Sequence, residues 1–124
     1  MADINSVARG FADFYYQTFD ADRRNLKALY RNHSMLTFEG QQVLGADAIV
    51  EKLTALPFTR VQHRISTLDA QPGHPDSGAV VIAITGQLLV DEEQNPQQFS
   101  QIFTLYPEGG TYWVYNDIFR LNYG

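Results

Sequence analysis

The feature that most constrains this chain is the stretch from Gly78 to Tyr106. Two long runs of β-branched and aromatic residues are joined there by Asp91-Glu92-Glu93-Gln94-Asn95-Pro96. That is the pattern of a β-hairpin. In the first run both parities are apolar, with Val80, Ile82, Ile84, Leu88 and Val90 on one side and Val81, Ala83 and Leu89 on the other. A strand apolar on both faces must be covered on both. The hairpin therefore predicts the centre of a sheet, and its tip carries three adjacent carboxylates.

The rest of the chain supplies the cover. Asp3, Asn5 or Ser6 can cap a first helix. In it Ile4, Val7, Ala8, Phe11, Phe14, Tyr15, Thr18 and Phe19 follow helical spacing and form one broad apolar face. Asp20-Ala21-Asp22 breaks this helix and opens a short second one, with Leu26, Leu29 and Tyr30 on one side. Ser34 to Phe38 reads as a strand, Glu39-Gly40-Gln41-Gln42 as a turn, and Gly45-Ala46-Asp47 as the start of a third helix. Ile49, Val50, Leu53 and Leu56 give that helix its apolar stripe, and Pro57 stops it. From Thr59 the period becomes two, with Val61, His63, Ile65 and Thr67 alternating against Arg60, Gln62, Arg64 and Ser66. A Pro- and Gly-rich loop spans Gln71 to Gly78, and Thr111 to Leu121 forms the last strand.

Helices followed by long antiparallel strands predict an α+β fold. We expect a cone-like roll: N-terminal helices packed on a strongly curved, mostly antiparallel sheet, with a pocket at the open end. The outer sheet face is also apolar, and a second copy of the chain is its expected cover, making a homodimer. At 124 residues the chain is expected to be one domain, 1–124.

Composition excludes several functions. A net charge of −5 argues against nucleic acid and anionic membranes, which need clustered Lys and Arg. With no cysteine there is no disulfide, thiolate metal site or cysteine nucleophile. No signal peptide and no apolar stretch near the ~20 residues of a membrane span is visible. The expected location is therefore the soluble interior of the cell. His33, His63 and His74 lack metal-ligand spacing, so no metal and no cofactor are expected.

Two kinds of chemistry remain. Asp117, Tyr15, Tyr16 and His63 are the materials for an acid/base enzyme of isomerase or dehydratase type, should they meet in one pocket. Asp91-Glu92-Glu93 taken alone reads as a charged hairpin tip that keeps the sheet soluble; joined by Glu39 in another turn, it would instead make an acidic rim. Such a rim around an apolar pocket suits a basic partner segment carrying one aromatic anchor. A purely structural dimerisation module is a third reading.

Several runs resemble the nuclear transport factor 2 family. They are Phe14-Tyr15-Tyr16, Leu36-Thr37-Phe38-Glu39-Gly40, Ile49-Val50-Glu51-Lys52-Leu53, Leu56-Pro57-Phe58, Gln62-His63, Asp91-Glu92-Glu93 and Asn116-Asp117-Ile118-Phe119-Arg120-Leu121. Leu68-Asp69-Ala70-Gln71-Pro72 and Glu92-Glu93-Gln94-Asn95-Pro96 are most similar to its fungal members. The resemblance implies a non-enzymatic, homodimeric carrier that binds the GDP form of the small GTPase Ran and phenylalanine-rich nucleoporin repeats. It implies import through the nuclear pore, and a location in cytoplasm and nucleus, concentrated at pores. By motif, Glu39, Asp91 and Glu93 match the family's GTPase-binding acids and Phe38 the neighbouring aromatic. Ile4 stands where the family carries a nucleoporin-binding aromatic, and an Ile lacks the flat face that stacks. Glu92 points the other way by strand parity.

Overall fold

The structure is a computed structural model, and it describes residues 3–57, 59–92 and 95–122. Asp3 begins the first helix, α1 (Ile4–Ala21), by accepting hydrogen bonds from the Asn5 amide and the Ser6 hydroxyl. Ala8, Ala12, Tyr15, Tyr16 and Phe19 are its buried face. Phe14, expected on that face, is 55% exposed instead. It lies one residue outside the stripe that Tyr15 and Tyr16 occupy.

Asp22 ends α1, where its amide donates to the Thr18 carbonyl, and then caps the next turn by accepting from the Arg24 amide. That turn is a 3₁₀ helix (Arg23–Leu29), shorter than the second helix expected, and Tyr30 already belongs to the first strand. The strands are β1 (Tyr30–Phe38), β2 (Gln41–Leu44), β3 (Val61–Pro72), β4 (Val80–Val90), β5 (Gln97–Glu108) and β6 (Thr111–Leu121). Helix α2 (Ala46–Thr54) lies between β2 and β3, with Ile49 and Leu53 buried.

One six-stranded sheet runs in the order β2-β1-β6-β5-β4-β3. The hairpin of β4 and β5 lies inside it, as expected. Every pairing is antiparallel except β1 with β6, which brings the Glu39 turn beside the end of the last strand. On the concave face Ile82, Ile84, Phe99, Phe103, Leu105 and Val114 pack beneath α1 and are at most 1% exposed. On the convex face Ile102 pairs with Ile118 across β5 and β6 and with Ala83 across β4. Both isoleucines are exposed, an apolar centre that this chain leaves uncovered.

The curvature has a local cause. A bulge between Ile65 and Thr67 shifts the β3–β4 register and turns Leu68 and Ala70, not Thr67, toward the core. Gly86 sits opposite that bulge. A Cβ there would lie 2.3 Å from the Arg64 carbonyl oxygen and 3.0 Å from the Phe99 ring, so only glycine lets the strands approach.

Candidate functional site

Two connected spaces occupy the open end of the roll. The inner one holds only about 20 Å³, room for a single water. Its walls include Tyr15, His63, Gln101 and Asp117, so three of the four residues proposed for acid/base work do meet; Tyr16 lies just behind. Their polar atoms, however, serve one another. Asp117 is fully buried and accepts from the Tyr30 hydroxyl at 2.8 Å, the Gln101 amide at 2.8 Å and the Tyr15 hydroxyl at 3.4 Å. The Tyr15 and Tyr30 hydroxyls are 2.6 Å apart, and Tyr16 donates to Gln101 Oε1 at 2.7 Å.

Burial pushes the Asp117 carboxyl up to about 6, against the opposing pull of the hydrogen bonds from Gln101, Tyr30 and Tyr15. Burial, and next the Asp117 charge, push the Tyr15 and Tyr30 hydroxyls well above the ordinary phenol value. His63 is spent on structure. Its Nδ1 lies 2.6 Å from Asp20 Oδ1, its amide donates to Asp20 Oδ2 at 2.9 Å, and its ring stacks on Tyr16 at 4.4 Å. This clamp ties the end of α1 to β3. The Asp117 carboxylate is thus satisfied by its neighbours, and the space beside it holds about one water.

The outer space is larger, about 340 Å³, and shares Phe38, Leu56, Leu88 and Phe119 with the inner one. Pro57, Val90, Gln97 and Leu121 complete its walls, and Asp91 stands on its edge. Phe38 stacks on Phe119 with centroids 4.8 Å apart and planes 5° apart, and Phe119 stacks on Phe99 at 5.5 Å. This aromatic column makes one wall stiff from the surface to the core.

The two acids are held differently from what their motifs suggest. Glu39 is half-buried at φ 52°, and its Oε1 accepts from the Leu121 amide while its own amide donates to the Phe119 carbonyl at 3.0 Å. Asp91, also at φ 52°, accepts three hydrogen bonds on Oδ1: from the Thr59 amide at 2.9 Å, the Thr59 hydroxyl at 3.0 Å and the Arg60 amide at 2.8 Å. Its amide donates back to the Arg60 carbonyl at 2.7 Å. These bonds, that to the Arg60 amide foremost, hold the Asp91 carboxyl below its ordinary range. Asp91 thus latches the α2–β3 loop against the hairpin tip, a role no sequence motif announced.

Phe38 and Asp91 line the outer space. Glu39 does not, and reaches it only through its bonds to the backbone of Phe119 and Leu121, which do. Glu92 is exposed, and Glu93 lies outside the described residues. Ile4 is elsewhere, half-buried at the start of α1 and packed against the core. Sequence reasoning missed Lys52, whose ammonium lies 5.9 Å above the Phe38 ring and donates to Gln41 Oε1. Its position on α2 was legible, but its reach across to β1 was not. Among the described residues no cluster of metal-ligating side chains occurs, and no helix is long and apolar enough to cross a membrane.

A family model described as the nuclear transport factor 2 (NTF2) domain matches residues 7–121. Nuclear transport factor 2 of Saccharomyces cerevisiae is 63% identical over 121 residues, covering 98% of this chain and 96% of the relative. That of Schizosaccharomyces pombe is 60% identical over 124 residues, covering 100% of both. A solved structure of nuclear transport factor 2 from Cryptosporidium parvum superposes with a TM-score of 0.89 at 40% identity, covering 96% of this chain and 94% of that one. These relatives are named as transport factors and not as enzymes.

Proposed function

This chain belongs to the nuclear transport factor 2 family, and we propose that it carries the GDP-bound form of the small GTPase Ran into the nucleus, crossing the pore on phenylalanine-rich nucleoporin repeats. Residues 1–124 act in this reading as one domain, paired with a second copy. The observation that carries it is the outer space of about 340 Å³, apolar within and acidic at its edge. That size stands at the small end of ligand pockets, about 300–1,000 Å³, and accommodates one aromatic side chain. Asp91 at the rim, with Glu93 following in sequence, and Glu39 on the neighbouring turn that bonds Leu121, would receive basic residues beside that anchor. Phe38 supplies the ring wall.

Discrimination between nucleotide states has to be indirect, because the sequence holds no phosphate-binding motif. It would come from a GTPase switch segment whose position depends on the γ-phosphate. The exposed Ile102 and Ile118 on the convex face support the homodimer, since an apolar patch of this kind is rarely left in water. Ile4 is the proposed contact for nucleoporin repeats. The carrier would then work in cytoplasm and nucleus and concentrate at pores.

Capture of purified protein on the immobilised GTPase tests this reading. The GDP-loaded form is expected to retain it and the GTP-loaded form to leave it in solution. Equal capture by both forms, or by neither, sinks the proposal.

A further inference from the structure

The turn at Glu39 and Gly40 stands between two cations. On one side Lys52 is anchored to residues flanking the turn, through its hydrogen bond to Gln41 and its place over the Phe38 ring. On the other, Arg120 lies between the Phe119 carbonyl and the Leu121 amide, which bond the Glu39 amide and carboxylate respectively. Its guanidinium reaches over Gly40, where a Cβ would stand 3.6 Å from Nη2. Among the described residues neither cation forms an ion pair with Glu39. The acid's charge is therefore not consumed by them, yet both sit beside the place where a partner's cation would arrive.

We infer that Lys52 and Arg120 are specificity-determining residues of this rim, which hold down its affinity for cationic partners by repelling them. The inference rests on reading Glu39 as the acid that receives a partner's Lys or Arg. Like charges repel over a Debye length, about 8 Å at physiological salt, and both cations stand beside the turn that carries Glu39. The repulsion grows with each added charge on the visitor. A segment with one or two cations and an aromatic anchor pays it once and recovers it in the apolar space. A polybasic segment pays it repeatedly and finds no anchor. Such a device would keep an acidic protein of net charge −5 from collecting polycations, and it would keep its chosen partner releasable.

The test titrates Lys52→Gln, Arg120→Gln, the double variant and the charge-preserving Lys52→Arg with the GDP-loaded GTPase and with an oligolysine peptide. At low salt each single variant is expected to bind the GTPase roughly threefold tighter, and the double variant about tenfold. The gain for oligolysine should be larger, high salt should erase both gains, and Lys52→Arg should match the parent. A gain in affinity for the GTPase that distinguishes its nucleotide state requires a folded site, and circular dichroism checks that the oligolysine gain is not that of an unfolded acidic chain. If neither neutralised variant binds tighter at low salt while Glu39→Gln binds weaker, the inference fails and the reading of the rim survives. If Glu39→Gln binds as the parent does, the reading of the rim fails and takes the inference with it.

Discussion

Glu39→Lys is expected to lose binding of the GDP-loaded GTPase by about a hundredfold or more, with the fold kept. The magnitude follows from the setting. Removing one member of a desolvated, hydrogen-bonded charge pair costs roughly 2–5 kcal/mol, and a lysine adds repulsion to the loss. The backbone does not confound the test, because Lys and Gln adopt the φ of 52° at this position no less readily than Glu. One confounding contact exists: Glu39 Oε1 accepts from the Leu121 amide, and a lysine cannot replace it. Glu39→Gln separates the two effects, since its amide oxygen keeps that hydrogen bond while the charge is gone. Both variants are expected to bind weakly, Lys the weaker. Isothermal titration gives the affinities and circular dichroism the fold. Binding by Glu39→Gln at parental strength removes Glu39 from the interface.

The second large effect is on stability and its pH dependence. Asp117 has a folded pKa raised from 3.8 to about 6, so the folded state binds its proton more tightly than the unfolded state does. Its contribution is then most favourable below the unfolded value and is lost as pH rises through about 6. The loss amounts to about 3 kcal/mol, from some two pKa units at 1.36 kcal/mol each. Asp117→Asn abolishes this dependence. An Asn oxygen still accepts from Gln101 Nε2, and its amide can donate to the Tyr30 hydroxyl once that hydroxyl turns toward Tyr15. Urea unfolding of parent and variant from pH 4 to 8 should show the variant gaining on the parent by roughly 2–2.5 kcal/mol across that range, since the first part of the loss falls below pH 4. Taking the difference cancels carboxylates that act in the opposite sense, Asp91 among them, whose lowered pKa loses stability as pH falls. A difference flat in pH contradicts the account of the buried carboxyl.

Much of the fold was legible because its signals are local and repeated. The hairpin read from Gly78 to Tyr106 does form interior strands, and its second apolar parity does emerge on the convex face at Ala83 and Leu89. Caps at Asp3 and Asp22 were legible for the same reason. What escaped depends on pairing between distant segments. Strict alternation from Val61 ends at the Ile65–Thr67 bulge, and only the close approach of Gly86 on another strand makes that bulge possible. The parallel pairing of β1 with β6 sets the Glu39 turn beside Leu121, eighty-two positions later.

The site divides along the same line. A run of three carboxylates is visible in any sequence, but its chemistry is decided by neighbours. Both Asp91 and Glu92 are exposed, but the Asp91 carboxylate is held by Thr59 and Arg60. His63 and Asp117 looked like catalytic material and do meet at one small cavity, yet each is consumed by partners from other elements: Asp20 for the first, Gln101, Tyr30 and Tyr15 for the second. Titratable groups around a cavity indicate catalysis only where space and free valences remain.

The most direct test is a hydrogen-exchange footprint of the GDP-loaded GTPase on the carrier. If the outer space is the binding site, exchange should slow at the amides of Phe38 to Gln41, at Leu56, Thr59 and Arg60, and at Leu88 to Glu92, while the outer face of α1 around Phe14 stays as it was. Protection confined to α1 or to the convex face, with the rim unchanged, would contradict the account.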